Sequence, residues 1–580
     1  MQAYTEQYEL ESTWSTRKTD EIIMNSIDGD IPQEMELKIR TAIESMGVTQ
    51  TDELFVKLFS FILKEKSSKP IQAIATQLGA VAGMTDSLEA FEWGVVLVKL
   101  CKNSGLYELV QSDQDDAWYV VPNFCLSKST KQEIDKLQYL PPMKITPLDW
   151  VDNHSGGWLY ETKSILLGKK FAKHNDPLAY DVLNKLQKVQ WTIDTETYLT
   201  EKDTNHNLKK KQFLRVMDEY LGKPFHFVWR YDSRGRSYSS GYHLNIQGNE
   251  YGKALISLYN KEKITNFDNM YIAIANHAGL DKLTWQERID WTSKQQSFDD
   301  VEWDEPMLGR KAVRALGDAI AGKKSGYMMS ADATSSGVQI MAVLSGCKST
   351  AKLTNCIDPT KRYDLYTEVS TLMNAELTKP VPRAIIKACT MTHYYNSKAT
   401  PKALLSEEGL EVFNRVIKGV CPGAEEVMEV INSCWDATAD AHSWEMPDGH
   451  TVYVPVVSAT DVTYADSELG EIPLRYYQQA PSDNYRSLAA NICHSVDGYV
   501  AREMVRRCDF QLAHIHDCFL FPVDHLQDVS RTYREIMAEV AKSDLLQDIL
   551  RQITNDPKLT ITKYSSDLDQ DILNSSYMLS

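Results

Sequence analysis

Two aspartates in unlike surroundings raise the first chemical question. In QLAHIHDCFLFPV, residues 511–523, Asp517 interrupts an apolar strand-like run beside His514 and His516. Burying an unpaired carboxylate is costly, so an ionised acid there calls for a cation or a strong hydrogen-bonding network. In GYMMSADATSSGVQIMAVLSG an apolar strand end reaches Asp332, and a small-residue turn up to Gly337 opens a helix expected to begin near Val338. A carboxylate at a strand end leaves its oxygens at the sheet rim, where Mg²⁺ can be held by one or two carboxylates plus substrate phosphates. Taken alone, the simpler reading of Asp332 is a turn or helix-capping acid.

VPRAIIKACTMTHYYNSK reads as a helix after Pro382, spanning 382–397, with Arg383 and Lys387 one turn apart on one face. That spacing suits successive phosphates. Met391 and Tyr395 continue the stripe toward an aromatic end, as a nucleotide-binding helix would require; an ordinary charged helix face is the simpler alternative. In FVWRYDSRGRSYSSGYHLNIQGNE, Arg234 and Arg236 flank Gly235 in a polar loop. Such a loop can follow a nucleic-acid backbone without reading bases, or be a solvated hairpin. NICHSVDGYVAREM places His494 and Asp497 ahead of an amphipathic helix, and a lone histidine is more often structural than catalytic. The run Lys209, Lys210, Lys211 reads as a solvated helix face.

These residues need a large scaffold. A chain of 580 residues exceeds what one core normally serves, and 43% hydrophobic with 24% charged residues excludes wholesale disorder. A net charge of −18 gives no whole-protein attraction to nucleic acid, leaving local basic clusters to supply any. The ten cysteines form no C-x-x-C pair, which excludes a zinc-site spacing and a short disulfide framework. No secretory leader and no apolar run of about 20 residues is present, so a soluble cytoplasmic protein away from membranes is expected. Helical periodicity dominates residues 1–139, with Gly105 as a C-cap. A proline-rich break, LPPMKITPLDW, follows. Helical patterning returns in DPLAYDVLNKLQKVQWTIDTETYL and NLKKKQFLRVMDEYLG. From His226 the pattern is mixed, with strands in FHFVWRYD, GYMMSAD and AHIHDCFLF and helices in EEVMEVINSCWDATADAHSW and LQDVSRTYREIMAEVAK.

In order, YDSRGRSY with NIQGNE, DATSSGVQ, RAIIKACTMTHYYNS, ICHSVDG and HDCF resemble the core of the single-subunit, bacteriophage-type (phage and mitochondrial) DNA-dependent RNA polymerases. The resemblance covers roughly Leu140 onward; GVVLVKLCKNSGLYEL is similar to a late piece of that family's N-terminal domain. It implies an α+β, right-hand palm, fingers and thumb polymerase fold with a mainly helical N-terminal domain at 1–140. A linker and reduced thumb would occupy 141–225, the first part of the palm 226–345, the fingers 346–490, and the second part of the palm with a C-terminal foot 491–580. The activity implied is DNA-templated RNA synthesis from ribonucleoside triphosphates with two Mg²⁺ ions, in phage transcription within an infected host cell.

By the same resemblance, Asp332 and Asp517 are the metal-binding acids, and Arg383 and Lys387 hold the triphosphate. Tyr395 and His494 face the ribose, Arg234 and Arg236 lie by the template–product hybrid, Gly337 allows close packing behind Asp332, and His516 supports the hairpin presenting Asp517. Three departures from the pattern stand out: Ala388 after Lys387, Asn396 in place of a glycine, and Ile340 in place of a histidine. The implied partners are a DNA template, an RNA product and an accessory protein for promoter or single-stranded DNA binding, because the thumb is short and the segment from Tyr453 to Gln479 is expected to be compact. Two alternatives remain: a DNA polymerase or primase-like enzyme on the same fold, and a degenerate nucleic-acid-binding subunit.

Overall fold

The computed structural model describes residues 2–15, 18–27, 31–64, 68–134, 137, 140–161, 163–168, 170–201 and 210–580, with side chains left aside at 201 and 210–212. The lysine run at 209–211 therefore lies outside the described side chains. The chain divides into two compact units, residues 1–141 with 457–481, and residues 142–456 with 482–580.

The first unit is mainly helical, as its periodicity predicts. The helix Thr51–Leu63 buries Leu54, Phe55, Leu58, Phe59 and Ile62 on one face, the three- and four-residue spacing of an amphipathic helix. Asp86 caps Ser87–Cys101 by accepting from the N–H groups of Leu88 and Glu89. A 3₁₀ turn, Lys102–Ser104, then ends at Gly105, whose φ of +91° makes it the expected left-handed cap. A small antiparallel sheet, Tyr107–Gln111, Trp118–Pro122 and Lys69–Pro70, joins the helices.

The segment 457–481 differs from expectation. It is a long antiparallel hairpin, Val457–Asp466 paired with Gly470–Gln479, rather than a compact excursion within 346–490. Leu469, Ile472 and Leu474 join the first unit's core, and Lys99 pairs with Asp466 at 2.8 Å. Its mostly polar strands carry no local sign that their apolar partners lie between residues 23 and 134.

In the second unit the site rests on a three-stranded antiparallel sheet. The hairpin β1 (Trp229–Tyr231) and β2 (Ser237–Ser239) flanks it. The sheet itself holds β3 (Met328–Asp332), β4 (Ala513–Ile515) and β5 (Cys518–Pro522), with β5 central. Around them stand α1 (Ser336–Ser345), α2 (Arg383–His393), α3 (Arg486–Arg507) and α4 (Leu526–Lys542). α1 is buried from Val338 to Ser345, so apolar Ile340 occupies a core position. α4 turns Val529, Tyr533, Ile536, Met537 and Val540 inward.

Two stretches read as continuous helices are divided. The segment 176–199 forms a helix Tyr180–Gln187, a strand Trp191–Ile193 paired with Ile256–Leu258, and a helix Thr195–Glu201. The helix Pro422–Ser433 is followed by a strand, Ala441–Glu445, paired with Thr451–Pro455. At 191–193 aromatic and β-branched residues take a long-range strand partner, and at 441–445 the chain folds back into a local hairpin; in both places strand pairing outweighs local helical periodicity. All ten cysteines are free thiols, and no described helix is long and apolar enough to cross a membrane.

Candidate active site

β4 and β5 meet through a two-residue turn, with Ile515 opposite Cys518 and His516 and Asp517 at its tip. Tight hairpin turns of this length need left-handed backbone, and His516 supplies it with φ +58°. The brace is His514: its Nδ1 lies 3.2 Å from the His516 carbonyl, so it carries the proton, and Nε2 accepts from Ser237 Oγ at 2.7 Å. Burial pushes this imidazole down to about 4, keeping it neutral, and it stacks on Trp229. His516 packs edge-on against Tyr238.

β3 lies beside β5 with Asp332 opposite Cys518, so the strand-end acid and the turn acid become neighbours. The Ala333 N–H donates to the Asp517 carbonyl at 3.1 Å. On the other side of β3, Asp332 and Ser580 exchange backbone hydrogen bonds of 3.3 and 3.0 Å. Both carboxylates border a cleft of about 190 Å³, walled in part by Lys282, Arg362, Tyr366, Lys387 and Tyr395. Among the described residues neither carboxylate has an ion-pair partner. Asp332 is open to the cleft yet enclosed on its other sides; this enclosure, then the charge of Asp517, pushes its carboxyl up to about 7.

A divalent cation would relieve that repulsion, and the donors fit one. The cleft offers hard carboxylate oxygens and no cysteine or histidine. Among the described residues no three side chains of His, Cys, Asp or Glu converge on one point, so water and substrate oxygens would complete the shell of an ion held by Asp332 and Asp517. Mg²⁺ favours that arrangement.

α2 delivers Lys387 to the cleft, exposed and without a carboxylate partner among the described residues, its Nζ 5.6 Å from the Tyr366 ring centroid. Arg383 shares that face but is turned aside. Its Nε donates to Thr367 Oγ1 at 2.8 Å and its guanidinium pairs with Asp364, the acid capping Leu365–Glu376. The helix stops at His393, short of the predicted 397, because Asn396 takes φ +61° and the Asn396 and Ser397 N–H groups return to the carbonyls of His393 and Thr392. Asn396 thus serves the left-handed position a glycine would fill. The turn sets Tyr395 against α1, where a Cβ on Gly337 would lie 3.1 Å from the Tyr395 hydroxyl.

His494 and Asp497 lie within α3 rather than ahead of it. The His494 ring meets Tyr395 at 5.1 Å, and Arg234 Nη1 donates to its Nδ1 at 2.8 Å. Burial, then Arg236 and Arg234, push this imidazole down to about 2. It is therefore neutral with its proton on Nε2, a fixed donor.

Arg234 also pairs with Asp232 at 2.6 Å, and Arg236 with buried Asp497 at 2.7 Å. Burial raises the Asp497 carboxyl to about 7 against the pull of Arg236. The expected backbone-following loop is thus docked into the protein. The Gly235 carbonyl accepts from Arg502 at 2.9 Å, and Gly235 lies so close to His450 and Arg502 that a Cβ would meet them within 2.8 Å.

Of the eight candidates, the structure brings Asp332, Asp517, Lys387 and Tyr395 to one cleft, sets His494 behind Tyr395, and leaves Arg383, Arg234 and Arg236 in internal pairs. Lys282, Arg362 and Tyr366 are cleft residues that sequence reading missed, because each sits in a loop or helix start without a local chemical signature.

Two curated proteins are similar to this chain, each named "Probable DNA-directed RNA polymerase". That of Gelasinospora sp. (strain G114) is 29% identical over 179 residues, 26% of this chain and 21% of the relative. That of Neurospora crassa is 23% identical over 378 residues, 51% of this chain and 42% of the relative. The match thus spans less than half the length of these relatives. No family model matches the chain.

Proposed function

We propose that this chain is a DNA-directed RNA polymerase of the single-subunit phage type, adding ribonucleotides with two divalent ions and serving phage transcription. The observation that carries the reading is the juxtaposition of Asp332 at the end of β3 and Asp517 in the β4–β5 turn, both bordering one cleft without an ion-pair partner among the described residues. Similarity to the two named polymerases supports the same activity. Ions held by these carboxylates would activate an attacking hydroxyl and balance phosphate charge.

The chain's own residues supply the remaining tasks. Lys387, a cleft cation without a carboxylate partner among the described residues, meets the triphosphate, where its ammonium can protonate the leaving pyrophosphate. Arg383 reaches phosphate only by releasing Asp364. Tyr395 offers a ring to the sugar, and His494, neutral with Nε2–H, is a donor suited to a ribose hydroxyl or a base edge. Arg236 stays paired with Asp497. On this reading sheet β3–β5 is the palm and α2 belongs to the fingers.

Incorporation of labelled ribonucleotides on single-stranded, premelted and duplex templates tests the reading. Mg²⁺-dependent RNA synthesis on the first two is expected, with duplex promoters needing an accessory protein; a strong preference for deoxynucleotides, or no synthesis on any template, overturns it.

A further inference from the structure

A second charged surface lies in the same unit, away from the carboxylate cleft. The short strands Glu262–Lys263 and Lys324–Ser325 pair antiparallel, placing Lys263 directly opposite Lys324. Like charges opposite one another on a ladder are destabilising. Lys261 and Lys323 flank this ribbon, and all four lysines are exposed on a protein of net charge −18. Lys261 and Lys323 also line a cleft of about 650 Å³ together with Tyr259, which is 44% exposed.

The neighbouring acids are already committed. Asp194 and Glu196 face Arg314 at 2.7 and 3.3 Å, Asp318 lies 3.9 Å from Lys323, and Glu262 accepts from Gln511 at 3.0 Å with His525 at 3.9 Å. Lys261, Lys263 and Lys324 have no acidic partner among the described residues. The ribbon is anchored: the Leu258 N–H donates to the Gly326 carbonyl at 2.9 Å, and the Tyr259 N–H to the Gln190 carbonyl at 3.0 Å.

We propose that this lysine ribbon binds single-stranded nucleic acid, with its phosphates on Lys261, Lys263 and Lys324 and a base stacked on Tyr259. Repelled cations beside one exposed aromatic ring match a strand whose phosphates and base faces are both accessible. A duplex hides its base faces and offers Tyr259 nothing. Lys324 lies eight residues before Asp332 along the chain, so the two are no more than about 29 Å apart, close enough for one strand to reach from ribbon to cleft.

The test is fluorescence anisotropy of labelled dT20, U20 and a dT20·dA20 duplex on the full chain, in EDTA without nucleotides. No step of nucleotide addition enters it, and Asp517→Asn is expected to bind like the parent protein, so its failure is separable from that of the polymerase reading. The triple variant K261A/K263A/K324A is expected to bind at least about tenfold more weakly to dT20, U20 or both, with the magnitude of the salt slope reduced by about 2. Tyr259→Ala weakens single-strand binding by about tenfold and leaves duplex binding unchanged. The preferred oligonucleotide identifies the strand as DNA or RNA. Unchanged affinity and slope for both oligonucleotides in the triple variant, or a loss confined to the duplex, overturns the proposal.

Discussion

Asp448 and Asp332 lie in the same unit, one enclosed and the other open to a cleft, and one is matched while the other is not. Asp448 accepts a bidentate pair from Arg502 at 2.6 and 2.9 Å and a third bond from Arg506 at 2.8 Å. Burial alone would raise its carboxyl; the two guanidiniums outweigh burial and hold it well below the usual range. Asp332 faces another carboxylate and has no ion-pair partner among the described residues, and it moves the other way. Matched acids tie elements together, here α3 to the loop at 448 and to Gly235. An unmatched pair in a cleft is a demand for something from outside.

The same substitution should therefore have opposite consequences at the two places. On the proposed reading Asp517→Asn removes a metal ligand, and nucleotide addition should fall by at least about 10²–10³-fold while the melting temperature holds or rises. A variant of normal activity would break the contrast at its functional end. Asp448→Asn leaves Arg502, fully buried, without its anion, and chemical denaturation should show a loss of about 3–5 kcal/mol, with activity falling only as the folded fraction falls.

The pH dependence sharpens the comparison further. The folded carboxyl of Asp332 is raised from about 4 to about 7, so its contribution is fully present below pH 4 and lost as pH rises toward 7. The parent protein without divalent ions should lose melting temperature over that interval relative to Asp332→Asn, and Mg²⁺ should restore it above pH 7. Asp448, being lowered, stabilises above about pH 4 and loses that effect in acid, so the gap between parent and Asp448→Asn should close as pH falls. The smallest expected effect is that of Gly337→Ala. Its Cβ displaces Tyr395 by a few tenths of an ångström, raising KM for nucleotide about two- to fivefold with little change in stability.

Much of this site was legible because its chemistry is carried by short local patterns. An acid between apolar arms announces the β4–β5 turn, and a basic-to-aromatic stripe announces α2. What stayed hidden depends on partners distant in sequence. The diversion of Arg383 is set by Asp364, the docking of Arg234 and Arg236 by His494, Asp497 and Arg502, and the role of His514 by Ser237. Periodicity likewise missed the strands at 191–193 and 441–445, whose state is decided by what they pair with.

The first unit is assembled from two pieces of chain, and this sets an order on its completion during synthesis. Leu469, Ile472 and Leu474 enter a core otherwise built from residues 23 to 134, and the whole stretch from 142 to 456 is translated in between. At about 5–20 residues per second the helices wait roughly 15–60 s with an apolar face uncovered, an interval in which a chaperone has something to hold.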